Sequence, residues 1–197
     1  MRNHDQPDHA MPNAMSTKPT KIALRKTLLA NRQAMSAEVR QEMDGCIGER
    51  VEAWCIEHPL RTLGVYWPIR GEPDLRNAYE KLAGRGIALA LPVVVGKEAP
   101  LRFIAWTPGD AMQKDQYGIA IPAGDKELLP DAVLVPCVGF NEQRFRLGYG
   151  GGFYDRTLAQ APRPVTVGIA YAASLTEFEA DAFDIALDRV ITESLQL

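Results

Sequence analysis

The sequence contains few cysteines and histidines, and their spacing suits little of the chemistry that these residues usually carry. The cysteines, Cys46, Cys55 and Cys137, form no CxxC pair, which disfavours both a secreted disulfide framework and a zinc site. After residue 18 the single histidine is His58; it precedes a proline at a predicted helix end, which makes a Ser-His-Asp triad a remote alternative. Free thiols are typical of a reducing compartment, so we expect a cytoplasmic protein.

Long apolar runs are absent as well. No stretch reaches the ~18 residues of a membrane span, and residues 1–18 lack the apolar core of a signal peptide. We expect residues 1–18 to be a disordered polar tail and residues 19–197 to form one domain. The 22 basic and 25 acidic residues give a net charge of −3, which offers no basic face for nucleic acid. We therefore expect a monomer or small homo-oligomer that binds small molecules, with no nucleic-acid or membrane partner.

Helical and strand patterns alternate along the chain. They predict helices from residue 20, over 37–57, over 74–82 and over 153–158, and strands over 63–66, 87–91, 101–106, 132–135, 165–170 and 189–192. This alternation predicts an α/β fold: a single-domain, three-layer α/β/α architecture with a largely parallel central sheet, Rossmann-like, which binds ligands outside the carboxyl ends of its strands. The segment 107–130 is long and poor in strands, and we expect a functional loop there.

A glycine-rich turn between a predicted strand and a predicted helix is the most informative stretch. Four of the five residues from Gly148 to Gly152 are glycines, which lets the backbone approach a ligand and present N–H groups to phosphate oxygens. The turn fits neither the Walker A loop nor the Rossmann fingerprint, because Phe153 occupies the place of the third glycine. Arg146 can reach a phosphate, while Asp155 suits either Mg²⁺ or the amino end of the next helix.

Three further charged residues are ambiguous by themselves. Lys21 and Arg25 share a helix face with Arg32, and such a face is more often solvated than ligand-binding. Glu72 follows the first predicted strand, where a carboxylate either binds a polar ligand group or opens the next helix.

Together these segments resemble the 5-formyltetrahydrofolate cyclo-ligase family, from about residue 21 to residue 192. The matching motifs, in order, are KIALR at 21–25, YWP at 66–68 with EP at 72–73, LP at 91–92, YGI at 117–119 with Pro122, the strand 131–136, GF at 139–140, and RLGYGGGFYD at 146–155. The last block is the most specific of them. The resemblance implies the family's fold, its activity and the following site residues.

The roles implied by the resemblance fall into three groups. The expected ATP-binding residues are Lys21, Arg25, Arg146, Leu147, Gly148, Tyr149, Gly150, Gly151, Gly152, Phe153 and Tyr154. The expected substrate contacts are Trp67, Glu72, Tyr117, Phe153 and Tyr154. Asp155 and Asp188 resemble the magnesium ligands, and Arg146 and Asp155 the catalytic pair.

The resemblance also implies a reaction. In this family, ATP and Mg²⁺ drive the conversion of 5-formyltetrahydrofolate to 5,10-methenyltetrahydrofolate through a phosphorylated formyl intermediate, with ADP and phosphate as the other products. The chain departs from the family pattern at five positions. Tyr149 and Gly151 stand where basic residues are frequent, Phe153 replaces a tyrosine, Asn141 an aspartate and Cys137 a glycine.

Two other functions stay open at this point. One is a different ATP- or phosphate-dependent transferase on the same fold, because fold alone does not fix the substrate. The other is a non-catalytic homologue that binds nucleotide or RNA. The absence of a basic stripe argues against RNA.

Overall fold

The computed structural model describes residues 19–197, so the predicted tail over residues 1–18 lies outside the described residues. The α-helices of this range are α1 (Lys21–Ala34), α2 (Ala37–Glu57), α3 (Arg76–Gly84) and α4 (Phe153–Leu158), with a 3₁₀ turn at Ala172–Ser174. From residue 19 onward, no helix combines the length and the apolar character needed to cross a membrane.

Six strands form the central sheet. They are β1 (Thr62–Gly64), β2 (Ala88–Val94), β3 (Leu101–Trp106), β6 (Ala132–Pro136), β9 (Val165–Ile169) and β10 (Arg189–Ile191), in the spatial order β10-β9-β6-β1-β2-β3. Every neighbouring pair is parallel except β2 and β3, which are antiparallel. The predicted α/β fold with a largely parallel sheet is therefore confirmed.

Side-chain caps explain where the two long helices begin. The Thr20 hydroxyl accepts a hydrogen bond from the Ala23 N–H at 3.2 Å, and the Ser36 hydroxyl accepts one from the Val39 N–H at 3.3 Å. Each cap satisfies a backbone donor that has no partner inside the helix. The chain thus starts α1 and α2 where the sequence predicts them.

The hydrophobic core lies on both faces of the sheet. Helices α2 and α3 cover one face, with Val51 and Tyr79 fully buried against the strands. The other face packs Val133 and Val135 against Leu158 of α4 and Leu187 of an irregular segment. The predicted three layers are present, but the layer on the second face is only partly helical.

Both edge strands of the sheet are covered by irregular segments of the same chain. Along β3, the Ala105 N–H donates to the Lys126 carbonyl and the Leu128 N–H to the Phe103 carbonyl, each at 2.8 Å. Along β10, Val190 and Leu197 exchange two backbone hydrogen bonds of 3.0 Å. The outer backbone groups of the sheet are therefore paired within the molecule.

Two short hairpins were not predicted. The segment 107–130 contains β4 (Met112–Lys114) paired with β5 (Ala120–Pro122), and the chain after β6 contains β7 (Gly139–Phe140) paired with β8 (Arg146–Leu147). Strands of two or three residues are too short to show a period of two. The loop predicted over 107–130 is thus a hairpin with irregular flanks.

The close packing around Gly64 in the central strand β1 gives a stability prediction. A Cβ at this position would lie 2.8 Å from Cε1 of Phe103 and 3.1 Å from Cγ2 of Val133. Gly64→Ala should therefore destabilise the protein by about 1–3 kcal/mol through overpacking. Urea unfolding followed by circular dichroism measures the change.

The matched control is Gly45→Ala in the exposed part of α2. A Cβ there meets nothing within 4 Å, so the substitution should stabilise the helix by about 0.5–1 kcal/mol. Equal effects of the two substitutions would contradict the packing described for β1.

Candidate active site

A cavity of about 890 Å³ opens at the carboxyl ends of β1 and β6. Tyr66 and Trp67 follow β1, Pro136 ends β6, and all three line the cavity. The glycine-rich turn, the amino-terminal part of α1 and the β4–β5 hairpin form its other walls. This is the edge at which open α/β sheets bind their ligands.

The glycine loop, residues 148–152, joins β8 to α4. Gly150 and Gly152 have φ values of 94° and 66°, a backbone conformation that residues with a Cβ adopt rarely. Gly148 is required for space, because a Cβ there would collide with Nη1 of Arg146. The loop therefore keeps its backbone close to the cavity and to the Arg146 guanidinium.

Arg146 and Asp155 form an ion pair across the base of the glycine loop. Nη2 of Arg146 donates to Oδ2 of Asp155 at 3.0 Å, and the two side chains are 6% and 23% exposed. The guanidinium also lies 5.2 Å from the centre of the Tyr154 ring. Nε of Arg146 is buried with no hydrogen-bond partner among residues 19–197. The structure thus brings the two predicted catalytic residues together.

Helix α1 supplies two cations to the cavity. Nζ of Lys21 donates to Asp184 at 2.6 Å and to Asp181 at 2.7 Å, and Nε of Arg25 donates to the Gly148 carbonyl at 2.8 Å. Partial burial opposes ionisation of Asp184, but the hydrogen bonds from Lys21 and from the Asp181 backbone lower its pKa below the ordinary value. The face of α1 that carries these residues therefore lines a site and is not simply solvated.

Glu72 is held by a chain of hydrogen bonds. One carboxylate oxygen, Oε2, accepts the Ile69 N–H at 2.9 Å, and the other, Oε1, accepts the Tyr149 hydroxyl at 2.8 Å. Nη2 of Arg32 in turn donates to the Tyr149 hydroxyl at 2.7 Å. Burial raises the pKa of Glu72, while the hydrogen bonds from Ile69 and Tyr149 and the charge of Arg32 oppose that rise.

Aromatic side chains line the rest of the cavity. Trp67 packs edge-on against Trp106 with ring centroids 6.0 Å apart, and Phe153 lies under the Arg156 guanidinium at 5.1 Å. Tyr117, in the β4–β5 hairpin, is 54% exposed at the rim. The five predicted substrate-contacting residues, Trp67, Glu72, Tyr117, Phe153 and Tyr154, all line this cavity.

Two predicted site residues do not reach the cavity. Leu147 is 1% exposed and belongs to the buried core. Asp188 precedes β10, at the amino ends of the strands, where its Oδ2 accepts the Thr166 N–H at 2.8 Å and the Thr166 hydroxyl at 2.7 Å. The acidic residues just before it that line the cavity are Asp181 and Asp184, so Asp188 is removed from the candidate metal site.

Charged residues that the sequence patterns do not predict also contact the site, among them Arg32, Arg70, Arg156, Asp181 and Asp184. Only Arg32 carried a sequence signal, because it shares a helix face with Lys21 and Arg25. Arg70 lies over the Tyr149 ring at 5.3 Å, and Nη2 of Arg156 donates to the Gly151 carbonyl at 2.8 Å. These contacts join distant or irregular segments, which local periodicity does not report.

The fold and the cleft define an open α/β protein with a cavity at the carboxyl edge of the sheet, beside a glycine loop flanked by cations. The chain belongs to the 5-formyltetrahydrofolate cyclo-ligase family, whose profile matches residues 17–193. It is therefore an enzyme, a ligase of folate-dependent one-carbon metabolism.

Named relatives cover most of the chain. A 5-formyltetrahydrofolate cyclo-ligase of Mycoplasma pneumoniae is 31% identical over 176 residues, which cover 88% of this chain and 98% of the relative. One of Escherichia coli K12 is 33% identical over 172 residues, which cover 83% and 94%. The solved structure of an Aquifex aeolicus 5,10-methenyltetrahydrofolate synthetase matches with a TM-score of 0.78 at 28% identity, over 89% of this chain and 91% of that chain.

The ion pairs of Lys21 give a pH-dependent stability prediction. Lys21→Met removes the cation that lowers the pKa of Asp184. A carboxyl with a lowered folded-state pKa stabilises the protein above its unfolded pKa, and this contribution is lost as the pH falls through the folded value. The free energy of unfolding of the wild type should therefore be about 1 kcal/mol larger than that of the variant at pH 7. This difference should shrink below about pH 4.

Urea unfolding of both proteins, from pH 7 down to the lowest pH at which the wild type stays folded, measures this difference. If the difference in the free energy of unfolding stays constant over that range, Lys21 does not lower the pKa of Asp184.

Proposed function

We propose that the enzyme converts 5-formyltetrahydrofolate to 5,10-methenyltetrahydrofolate with consumption of MgATP. One observation carries the proposal: a single cavity joins a glycine loop flanked by Lys21, Arg25 and Arg146 to a buried carboxylate, Glu72, and a set of aromatic rings. The loop side suits a polyphosphate, and the carboxylate and rings suit a planar, polar heterocycle.

The phosphate end depends on charge and on the loop backbone. Helix α4 has six residues, so its dipole adds little, and the main contribution comes from the loop amides and the guanidinium groups of Arg25 and Arg146. These groups would hold the triphosphate and neutralise the charge that moves with the transferred phosphoryl group.

Asp155 would hold Mg²⁺ together with the phosphates of ATP. No cluster of three or more acidic, histidine or cysteine side chains suited to a metal occurs in residues 19–197. The single carboxylate of Asp155 suits Mg²⁺, because this ion is commonly bound through one or two carboxylates, substrate phosphates and water. When bound, the ion supplies positive charge against the phosphate oxygens. Asp155 lies in the cavity wall next to Arg146, which supports this role.

The folate itself supplies the nucleophile. Its formyl oxygen attacks the γ-phosphorus, the bond from that phosphorus to the bridging oxygen breaks, and ADP leaves. N10 then adds to the formyl carbon and loses its proton, and phosphate leaves with the former formyl oxygen. No nucleophilic side chain is needed. Glu72 would hydrogen-bond the polar edge of the substrate, and Trp67, Phe153 and Tyr154 would contact its rings.

The direct test is a near-ultraviolet absorbance assay with purified enzyme, 5-formyltetrahydrofolate and MgATP. The methenyl chromophore should appear, and it should not appear when ATP or magnesium is left out. A folded enzyme that forms no chromophore under these conditions would refute the proposed reaction.

A cytoplasmic location stays a prediction from the sequence.

Asp155→Asn keeps the shape of the side chain and removes its charge. We expect turnover with MgATP to fall by at least about a hundredfold while circular dichroism shows an intact fold. Asp125→Asn, at an exposed position away from the cavity, is the matched control and should behave as the wild type. Wild-type turnover of Asp155→Asn at saturating Mg²⁺ would remove Asp155 from the metal site.

Arg25→Ala tests the phosphate end from the side of α1. The variant loses a guanidinium that touches the glycine loop, so its KM for ATP should rise about tenfold, with a smaller change in the KM for the folate. Lys26→Ala, one position further along the same helix and outside the cavity lining, serves as the control. An unchanged KM for ATP in Arg25→Ala would show that this face of α1 does not bind ATP and has a purely structural role.

A further inference from the structure

The hydroxyl group of Tyr149 connects the glycine loop to Glu72, on the opposite side of the cavity. The Tyr149 side chain is 38% exposed, yet its hydroxyl contacts Arg32 and Glu72, each of which is only 4% exposed. The two residues Tyr149 and Glu72 are 77 positions apart in the sequence. This contact links the part of the site that the proposed function assigns to ATP with the part that it assigns to the folate.

We propose that Tyr149 is a positioning residue for Glu72: its hydroxyl orients the carboxylate and keeps it ionised for binding the folate. The inference rests on the proposed function, because that function makes Glu72 a folate contact.

The direction of the hydrogen bonds supports this role. A guanidinium can only donate, so the Tyr149 oxygen accepts from Arg32 and its own proton is directed to Oε1 of Glu72. Burial and the neighbouring Glu72 carboxylate raise the pKa of Tyr149 above its ordinary value, so the hydroxyl keeps that proton. With Oε2 held by the Ile69 N–H, both oxygens of Glu72 have fixed donors.

Among the titratable groups around Glu72, Tyr149 is the neutral side chain that donates to the carboxylate. Two cations act on it, Arg32 from α1 and Arg70 from its own loop. The other titratable side chains that face it are Tyr66, Tyr79, Cys137 and Tyr154, whose pKa values burial raises. All four are therefore neutral at physiological pH, and none of them donates to the carboxylate.

The loop does not need the Tyr149 hydroxyl for its own anchoring. Arg25 already binds the Gly148 carbonyl, Arg156 binds the Gly151 carbonyl, and the ion pair of Arg146 joins the two ends of the loop. A purely structural role for the hydroxyl would duplicate these contacts, so its specific partner is Glu72.

The test compares the wild type with Tyr149→Phe, which removes only the hydroxyl. Without this donor, Glu72 should take up a proton at a higher pH, and kcat/KM for 5-formyltetrahydrofolate should fall about tenfold below neutral pH. The acid limb of the pH profile should move upward, and the KM for ATP should change less than the KM for the folate. An NMR titration of carboxyl-¹³C-glutamate protein should report the same upward change in the pKa of Glu72 without any substrate.

The matched control is Tyr171→Phe. The Tyr171 hydroxyl donates to Oδ1 of Asp44 at 2.7 Å, so the variant also removes a tyrosine–carboxylate hydrogen bond, but outside this cavity. It should leave the pH profile and the titration of Glu72 unchanged.

The outcomes separate the two proposals. In Glu72→Gln the acid limb should disappear, and adding Tyr149→Phe should not bring it back. An unmoved Glu72 titration or an unmoved acid limb in Tyr149→Phe overturns the positioning role. If the wild type makes no methenyl product, the proposed function fails, and the NMR titration alone then decides whether Tyr149 holds the carboxylate ionised.

Discussion

The ion pair between Arg146 and Asp155 holds the glycine loop in its shape. Placing a guanidinium that is 6% exposed in the protein interior costs several kcal/mol of lost hydration. The Asp155 carboxylate and the face of the Tyr154 ring offset part of that cost. Because the guanidinium fills the space where a Cβ of Gly148 would lie, the pair also dictates a glycine at that position. Together with the contacts of Arg25 to Gly148 and of Arg156 to Gly151, the pair anchors the loop that forms one wall of the cavity.

The glycine loop, residues 148–152, contains no basic residue, so the positive charge of the site comes from other segments. Tyr149 and Gly151 carry no charge, and both positions form hydrogen bonds within the protein. The cations come instead from α1, with Lys21 and Arg25, and from β8, with Arg146. Charge near a ligand can thus be supplied by segments far apart in the sequence, provided that the fold brings them to one edge of the sheet.

The sequence predicted the regular part of the fold because its signals are local. Thr20 and Ser36 cap their helices within three residues, β3 has the predicted bounds of 101–106, and α4 begins at the predicted residue 153. The two hairpins were missed because strands of two or three residues have no detectable period. The Glu72–Tyr149 contact spans 77 positions and has no local signature. Asp184 and Asp188 are four positions apart in the sequence. Asp184 lines the cavity and Asp188 lies at the opposite end of the strands, a difference that no local pattern reveals.

The covering of both edge strands has a consequence for how molecules of this enzyme can meet. An exposed edge would offer its N–H and C=O groups to a strand of another molecule, which is a common start of aggregation and of strand exchange. Here residues 126–128 and the last residues of the chain occupy those groups along β3 and β10. A second molecule can pair with these backbone groups only after one of the two covering segments has been displaced.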